Sequence, residues 1–220
     1  MRKVIGATFV TMDGVMQAPG GPEEDTSGGF RYGGWTVPYF DDMSGGAIDA
    51  VMREPFDLLL GRRTYDIFAA YWPFVDDSDI AERFNACIKY VATSSSEALT
   101  WKRTVRLQGN VVDAIRQLKE SDGPNLLVQG SSVLYQTLLH EDLLDELTLL
   151  VFPIVLGTGK RLFGTGAVPA AFETVETRTS PNGVVISKYL RAGQVQTGSF
   201  AAEEPSRVEL ERRERMNLSR

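Results

Sequence analysis

Leu58-Leu59-Leu60-Gly61-Arg62-Arg63-Thr64-Tyr65 and Leu126-Leu127-Val128-Gln129-Gly130-Ser131-Ser132-Val133-Leu134-Tyr135 repeat one pattern. In each, an apolar run short enough to be a buried strand stops at a glycine, hydroxyl or guanidinium side chains follow, and an amphipathic helical pattern begins. Such a turn points free backbone N–H groups and the positive end of a helix at an anion. Two of them in one chain predict a grip on two parts of one dinucleotide, and hence nucleotide-dependent chemistry.

Working outward, residues 4–10 read as a buried first strand and Thr11-Met12-Asp13-Gly14-Val15 as the turn out of it. Residues 17–35 are rich in glycine and carry Pro19, Pro22 and Glu23-Glu24-Asp25, a loop long enough to be either a functional lid or disordered. A helix is expected from Asp41 or Ser44 to Arg53, stopped by Pro55 before the strand that ends at Gly61. The helix after Gly61 carries Tyr65, Phe68, Ala69 and Trp72 and ends at Pro73; residues 79–85 look helical, and 88–92 form a strand leading into Thr93-Ser94-Ser95-Ser96. Asn110 suits the N-cap of a helix through Val111, Ile115 and Leu118. Residues 143–153 are apolar enough for a long strand, and 172–179 and 184–191 form a hairpin through Ser180-Pro181-Asn182-Gly183. Strand–helix–strand units first and an antiparallel pair last predict an α/β fold. Its sheet is mixed and mainly parallel, with helices on both faces and a C-terminal antiparallel hairpin.

The 220 residues, 43% hydrophobic, suit one domain with a full core, placed at residues 1–191. Residues 192–220 read as a charged, flexible tail with five basic and five acidic side chains, so the net charge of −6 belongs to the domain. Within the tail, Ser206 and Glu209 match a capping box that would start a short helix. An acidic balance argues against general nucleic-acid binding and against a polybasic membrane patch, so any anion must be held by local basic groups. One cysteine, Cys87, excludes an internal disulfide and a thiolate zinc cluster, and no metal site is expected. Cys87 leads into a buried strand and reads as a small core residue, while His140, the only histidine, falls at a helix end where dipole or solvent accounts for it. No run approaches the roughly 20 apolar residues of a membrane span. The start, Met1-Arg2-Lys3, is not a signal peptide, so a cytoplasmic protein is expected.

Met12-Asp13-Gly14, Leu60-Gly61-Arg62-Arg63-Thr64-Tyr65, Thr93-Ser94-Ser95, Gln129-Gly130-Ser131-Ser132-Val133-Leu134 and the segment from Val151 to Phe163 follow one another in a set order and spacing. Over residues 1–191 this resembles the dihydrofolate-reductase-like superfamily, and more closely the reductase (RibD C-terminal) domain family of riboflavin biosynthesis. The resemblance implies a dihydrofolate-reductase-like fold with NADPH across the carboxyl ends of the strands. Carried over by motif, Gly61, Arg62, Arg63 and Thr64 hold phosphate oxygens, with Arg62 or Arg63 near the ribose 2′-phosphate, which a guanidinium suits through its fixed fork of donors. Thr93, Ser94 and Ser95 meet the adenosine ribose-phosphate. Gln129, Gly130, Ser131, Ser132 and Leu134 lie under the pyrophosphate, with serine at 131 where the superfamily often has a second glycine. Gly157-Thr158-Gly159-Lys160-Arg161 is not a P-loop, because Ile154 stands where glycine is needed and Arg161 replaces the hydroxyl residue. Lys160 and Arg161 either bind a substrate phosphate or serve structure or an oligomer partner.

Hydride transfer from a nicotinamide needs the acceptor held against the donor and water excluded, and a C=N or C=O acceptor also needs a proton and an orienting carboxylate. Asp13, Asp41 and Asp42 are the catalytic candidates. Counting along the resemblance, the pterin-binding carboxylate of dihydrofolate reductase falls near Gly45, with Asp41 and Asp42 about one turn earlier, which makes dihydrofolate reduction itself doubtful. Asp42 alternatively serves the helix dipole and Asp13 the turn. Trp35, Tyr39 and Phe40 either stack on a planar substrate under a lid formed by residues 20–34 or fill the core. The expected activity is an NADPH-dependent reductase of a small heterocyclic or carbonyl substrate, similar to 5-amino-6-(5-phosphoribosylamino)uracil reductase and dihydrofolate reductase. The alternative is a non-catalytic NADP(H)-binding sensor or interaction protein on the same fold. A chain with no deaminase domain ahead of residue 1 is expected, which leaves membership of the riboflavin pathway open. Residues 147–155, read as a long apolar strand near a sheet edge, point to a homodimer.

Overall fold

Leu58 and Leu60 are buried on one face of a sheet and Leu59 on the other, the two-residue alternation of a strand covered by helices on both sides. The same alternation sets Leu127 against Leu126 and Val128 in a computed structural model that describes residues 1–164, 167–200 and 204–217. Among the described residues, the parallel strands are β1 (Val4–Thr11), β2 (Phe56–Gly61), β3 (Lys89–Ala92), β4 (Thr104–Arg106), β5 (Asn125–Val128) and β6 (Glu146–Phe152). The hairpin of β7 (Phe172–Thr179) and β8 (Val185–Arg191) joins them antiparallel, giving an eight-stranded sheet in the order β4-β3-β2-β5-β1-β6-β8-β7. On one face α1 (Asp42–Val51), α2 (Arg62–Tyr71) and α3 (Asp79–Ala86) bury Ile48, Tyr65 and Phe84. On the other, α4 (Val111–Glu120) and α5 (Ser132–His140) bury Ile115, Tyr135 and Leu138. The mixed, mainly parallel α/β architecture expected from sequence, with helices on both faces and a C-terminal antiparallel hairpin, is the one observed.

Local signals place the element ends. Asn110 Oδ1 accepts the amides of Val112 and Asp113 at 2.9 and 3.3 Å and starts α4. Asp41 caps α1 rather than lying within it. The tail carries α6 (Arg207–Asn217), where Ser206 Oγ accepts the Glu209 amide at 3.3 Å, and none of its residues is buried. Residues 201–203 and 218–220 of the tail lie outside the described residues. No helix among the described residues is long and apolar enough to cross a membrane.

Two expectations need correction. Strand β4 was not foreseen, and β6 lies inside the sheet between β1 and β8 rather than at its edge, which removes the edge-strand argument for a homodimer. The free edge next to β8 is β7, which bears Glu173, Glu176 and Arg178 and a register shift between Thr174 and Glu176. Charge and irregularity of this kind discourage edge-to-edge pairing.

Candidate active site

Because β2 and β5 are hydrogen-bonded neighbours, with Leu58 opposite Leu127, their two glycine turns emerge side by side. The chain leaves β2 into α2 on one face and β5 into α5 on the other, and ligands of open α/β sheets bind in the crevice at such a switch point. Ser131 stitches the turns together: its Oγ accepts the Gly61 amide at 2.9 Å and donates to Thr64 Oγ1 at 2.6 Å. The turns therefore form one platform, not two separate grips. A Cβ on Gly61 would lie 2.9 Å from Ser131 Oγ, so glycine there makes room for the stitch. Gly130 has φ +70°, and a Cβ on it would lie 3.1 Å from Thr64 Cγ2. With the Gly61 amide engaged, the N–H groups left without an intrahelical acceptor are those in the first turns of α2 and α5, among them Arg62, Arg63, Thr64 and Ser132. Gln129 is half-buried beside the turn, whereas the Leu134 side chain belongs to the core and leaves only its backbone to the platform.

The serine loop after β3 comes to the same edge. Arg62 reaches it through Glu97, to the carboxylate at 2.8 Å, while its Nε sits 2.8 Å from Asp66 one turn along α2. Thr93 Oγ1 accepts the Ser95 amide at 3.0 Å, and Ser94 is exposed between them. Arg106 of β4 holds this loop by donating to the carbonyls of Ser95 and Glu97. Its role was missed because a three-residue strand with half-exposed residues has no readable periodicity.

Strands β1 and β6 are also parallel neighbours, so their exits run together: the Met12 amide donates to Ile154 O and the Met16 amide to Lys160 O, both at 2.8 Å. Asp13 binds across these exits, accepting Thr11 Oγ1 at 2.6 Å, the Leu156 and Gly157 amides at 3.2 and 2.9 Å, and Arg161 at 3.2 Å. Burial raises the Asp13 pKa, but the Thr11 hydroxyl and the two amides outweigh it and leave it below the ordinary carboxylate value. Lys160 ends 2.5 Å from Asp25 of the glycine-rich loop, and the same carboxylate takes Arg63 at 3.0 Å. That loop packs onto the domain beside these exits. Trp35 Nε1 donates to Gln17 O at 2.8 Å, and Phe30 and Trp35 are buried in the core.

The remaining candidates are mostly engaged in caps and core packing. Asp41 accepts the Ser44 amide at 3.0 Å and the Asn182 amide of the β7–β8 turn at 3.1 Å, so it is committed to structure, and Asp42 is exposed in the first turn of α1. Trp35 packs edge-on against Phe152, as does the half-buried Tyr39; Phe40 is the exposed ring of the three, lying against Phe9. His140 is exposed against Glu141, and burial pushes the Cys87 thiol up to about 11, an inert state. Among the described residues no group of three His, Cys, Asp or Glu side chains could hold a metal.

The family model of the RibD C-terminal domain matches residues 2–186. The chain belongs to the RibD C-terminal domain family. Curated proteins similar to this family member include YyaP of Bacillus subtilis (strain 168), 26% identical over 188 residues, covering 84% of the chain and 92% of YyaP. YwjB of the same organism is 28% identical over 109 residues, covering 48% of the chain and 57% of YwjB. Both are uncharacterised proteins. The fold is shared with the crystal structure of a Shewanella sp. PV-4 protein named for riboflavin biosynthesis, at a TM-score of 0.66 and 22% identity over 86% of this chain and 99% of that one. It is also shared with a pyrimidine reductase-like protein of Corynebacterium diphtheriae NCTC, at a TM-score of 0.52 and 14% identity over 87% and 92% of the two chains. RibD C-terminal membership gives the family, and these neighbours share its fold.

Proposed function

We propose that this protein is an NADPH-dependent reductase of a small heterocyclic or carbonyl compound. The observation that carries the reading is the platform at the carboxyl ends of β2 and β5, where two helix N-termini from opposite faces are locked side by side by Ser131. A diphosphate fits it chemically: the bare backbone at Gly130 permits close approach, and two first turns offer unpaired N–H donors. Arg62 would take the 2′-phosphate, with Thr93–Ser95 beside it. When bound, NADPH supplies a hydride to the acceptor. The chain's own residues bind and orient the two partners, and the glycine-rich loop is tied to Lys160 through Asp25. Asp13 is held ionised, so it orients and does not donate; the proton that completes reduction comes from solvent.

Ser132→Asp tests this. A carboxylate in the first turn of α5 favours the helix dipole, so the fold stands while the diphosphate is repelled. NADP⁺ affinity, read by calorimetry, is expected to fall at least about tenfold. Arg62→Ala should weaken NADPH by a similar factor and leave NADH unchanged. Unchanged NADP⁺ affinity in Ser132→Asp would sink the cofactor site. NADPH binding without oxidation over pterins, pyrimidines and quinones would instead make the protein a sensor.

A further inference from the structure

The cations facing the proposed cleft fall into two classes according to the acids that hold them. Arg62 is paired with Asp66 and Glu97, whose side chains are 50% and 77% exposed. Such surface pairs are weak and exchange readily for a ligand phosphate. Lys160 and Arg63 share Asp25, and Arg161 is paired with Asp13, and these two carboxylates are only 10% and 15% exposed.

The second class is built in. Asp25 also accepts the Ser27 amide at 3.1 Å and its hydroxyl at 2.6 Å. The buried side chain of Gln17 donates to the carbonyls of Asp25 and Ser27, both at 2.9 Å, while its Oε1 accepts the Lys160 amide at 3.0 Å. One glutamine thus fixes the carboxylate and the lysine backbone together. The same convergence holds the Asp25 carboxyl ionised, at a pKa of about 2: burial pulls it up, and Lys160 and Ser27 outweigh that. A phosphate arriving at Lys160 would have to displace Asp25 and leave it, recessed and unpaired, beside a second anion.

We propose that the substrate of this protein carries no phosphate group, because the recessed carboxylates of Asp25 and Asp13 already pair with the cations that would receive one. The inference rests on the reductase reading and narrows it. On the cofactor side Arg62 is held only by exposed acids, whereas Lys160 and Arg161 are each held by a recessed carboxylate, so the acceptor is a heterocycle or carbonyl compound without a phosphate ester.

The test is calorimetric titration of inorganic phosphate into the full-length protein saturated with NADP⁺, in wild type and Asp25→Asn. The preceding NADP⁺ titration judges the reductase reading by itself; the phosphate titration judges only the substrate. Wild type should bind phosphate more weakly than about 1 mM, and Asp25→Asn at least about tenfold more tightly than wild type. Sub-millimolar binding by wild type, or no gain in Asp25→Asn, overturns the proposal. If circular dichroism shows that Asp25→Asn does not fold, Asp13→Asn, which releases Arg161, carries the same expectation and the same overturning result. Among acceptors assayed with and without a phosphate ester, kcat/KM should favour the free compound by about tenfold. An ester turned over as well as its free form, or better, contradicts the proposal.

Discussion

Ser131 is a non-glycine residue at φ +66°, a conformation that costs an L residue about 1–2 kcal/mol, and it keeps that position by tying Gly61 to Thr64. The two terms separate by mutation. Ser131→Ala keeps the strain and leaves the Gly61 amide without its acceptor, a loss of about 1–3 kcal/mol. Ser131→Gly loses the same bonds and relieves the strain, so denaturant midpoints should rank wild type above Ser131→Gly above Ser131→Ala. A Ser131→Ala midpoint equal to wild type would mean that the stitch contributes nothing. That a serine follows Gly130 is legible in the sequence; that it answers Gly61 and Thr64 is not, because a single sequence does not say which strands are neighbours. Asp25 was hidden for the same reason. In an acidic run within a glycine-rich loop it looks like solvated charge, and only the fold brings Arg63 and Lys160 to it.

Asp41 shows how one side chain can join two elements. It caps α1 through Ser44 and holds the β7–β8 turn through Asn182, and the Ser180 hydroxyl, with smaller help from Ser44 and Asn182, lowers its pKa to about 2 from an ordinary 3.8. A depressed folded-state pKa means the contribution is fully present above the unfolded value and is lost as pH falls from there through about 2. Melting temperatures followed from neutral pH down to pH about 2 should therefore fall more steeply in wild type than in Asp41→Ala. The variant should start a few degrees lower. Parallel curves would remove Asp41 from the acid response. The helix and its start were readable from Asp41 and Ser44, and the hairpin from Asn182-Gly183. The bond between them was not, nor was the interior place of β6, since strand order is a property of the whole sheet. For β4 there was nothing to read: three residues, with Val105 exposed, carry no pattern.

At the scale of the whole molecule, the net charge and the core both belong to the part before the C-terminal helix. The tail from residue 192 carries equal numbers of acidic and basic side chains, and α6 buries none of its residues. Ion pairs within the helix, Arg207 with Glu211 and Arg212 and Arg213 with Glu209, span one turn each and lie in solvent, where such pairs add little. The domain does use the first residues of the tail: the Ala192 amide donates to Ala171 O and the Ala171 amide to Gly193 O, both at 2.9 Å, which closes the start of β7 against the end of β8. A chain stopped after Gln194 keeps those bonds. It should melt within about 2 °C of the full-length protein and bind NADP⁺ with unchanged affinity. A chain stopped after Arg191 loses both bonds at the sheet margin and should melt lower than the first. If the chain stopped after Gln194 instead loses more than about 5 °C, the tail packs on the domain and contributes to its stability.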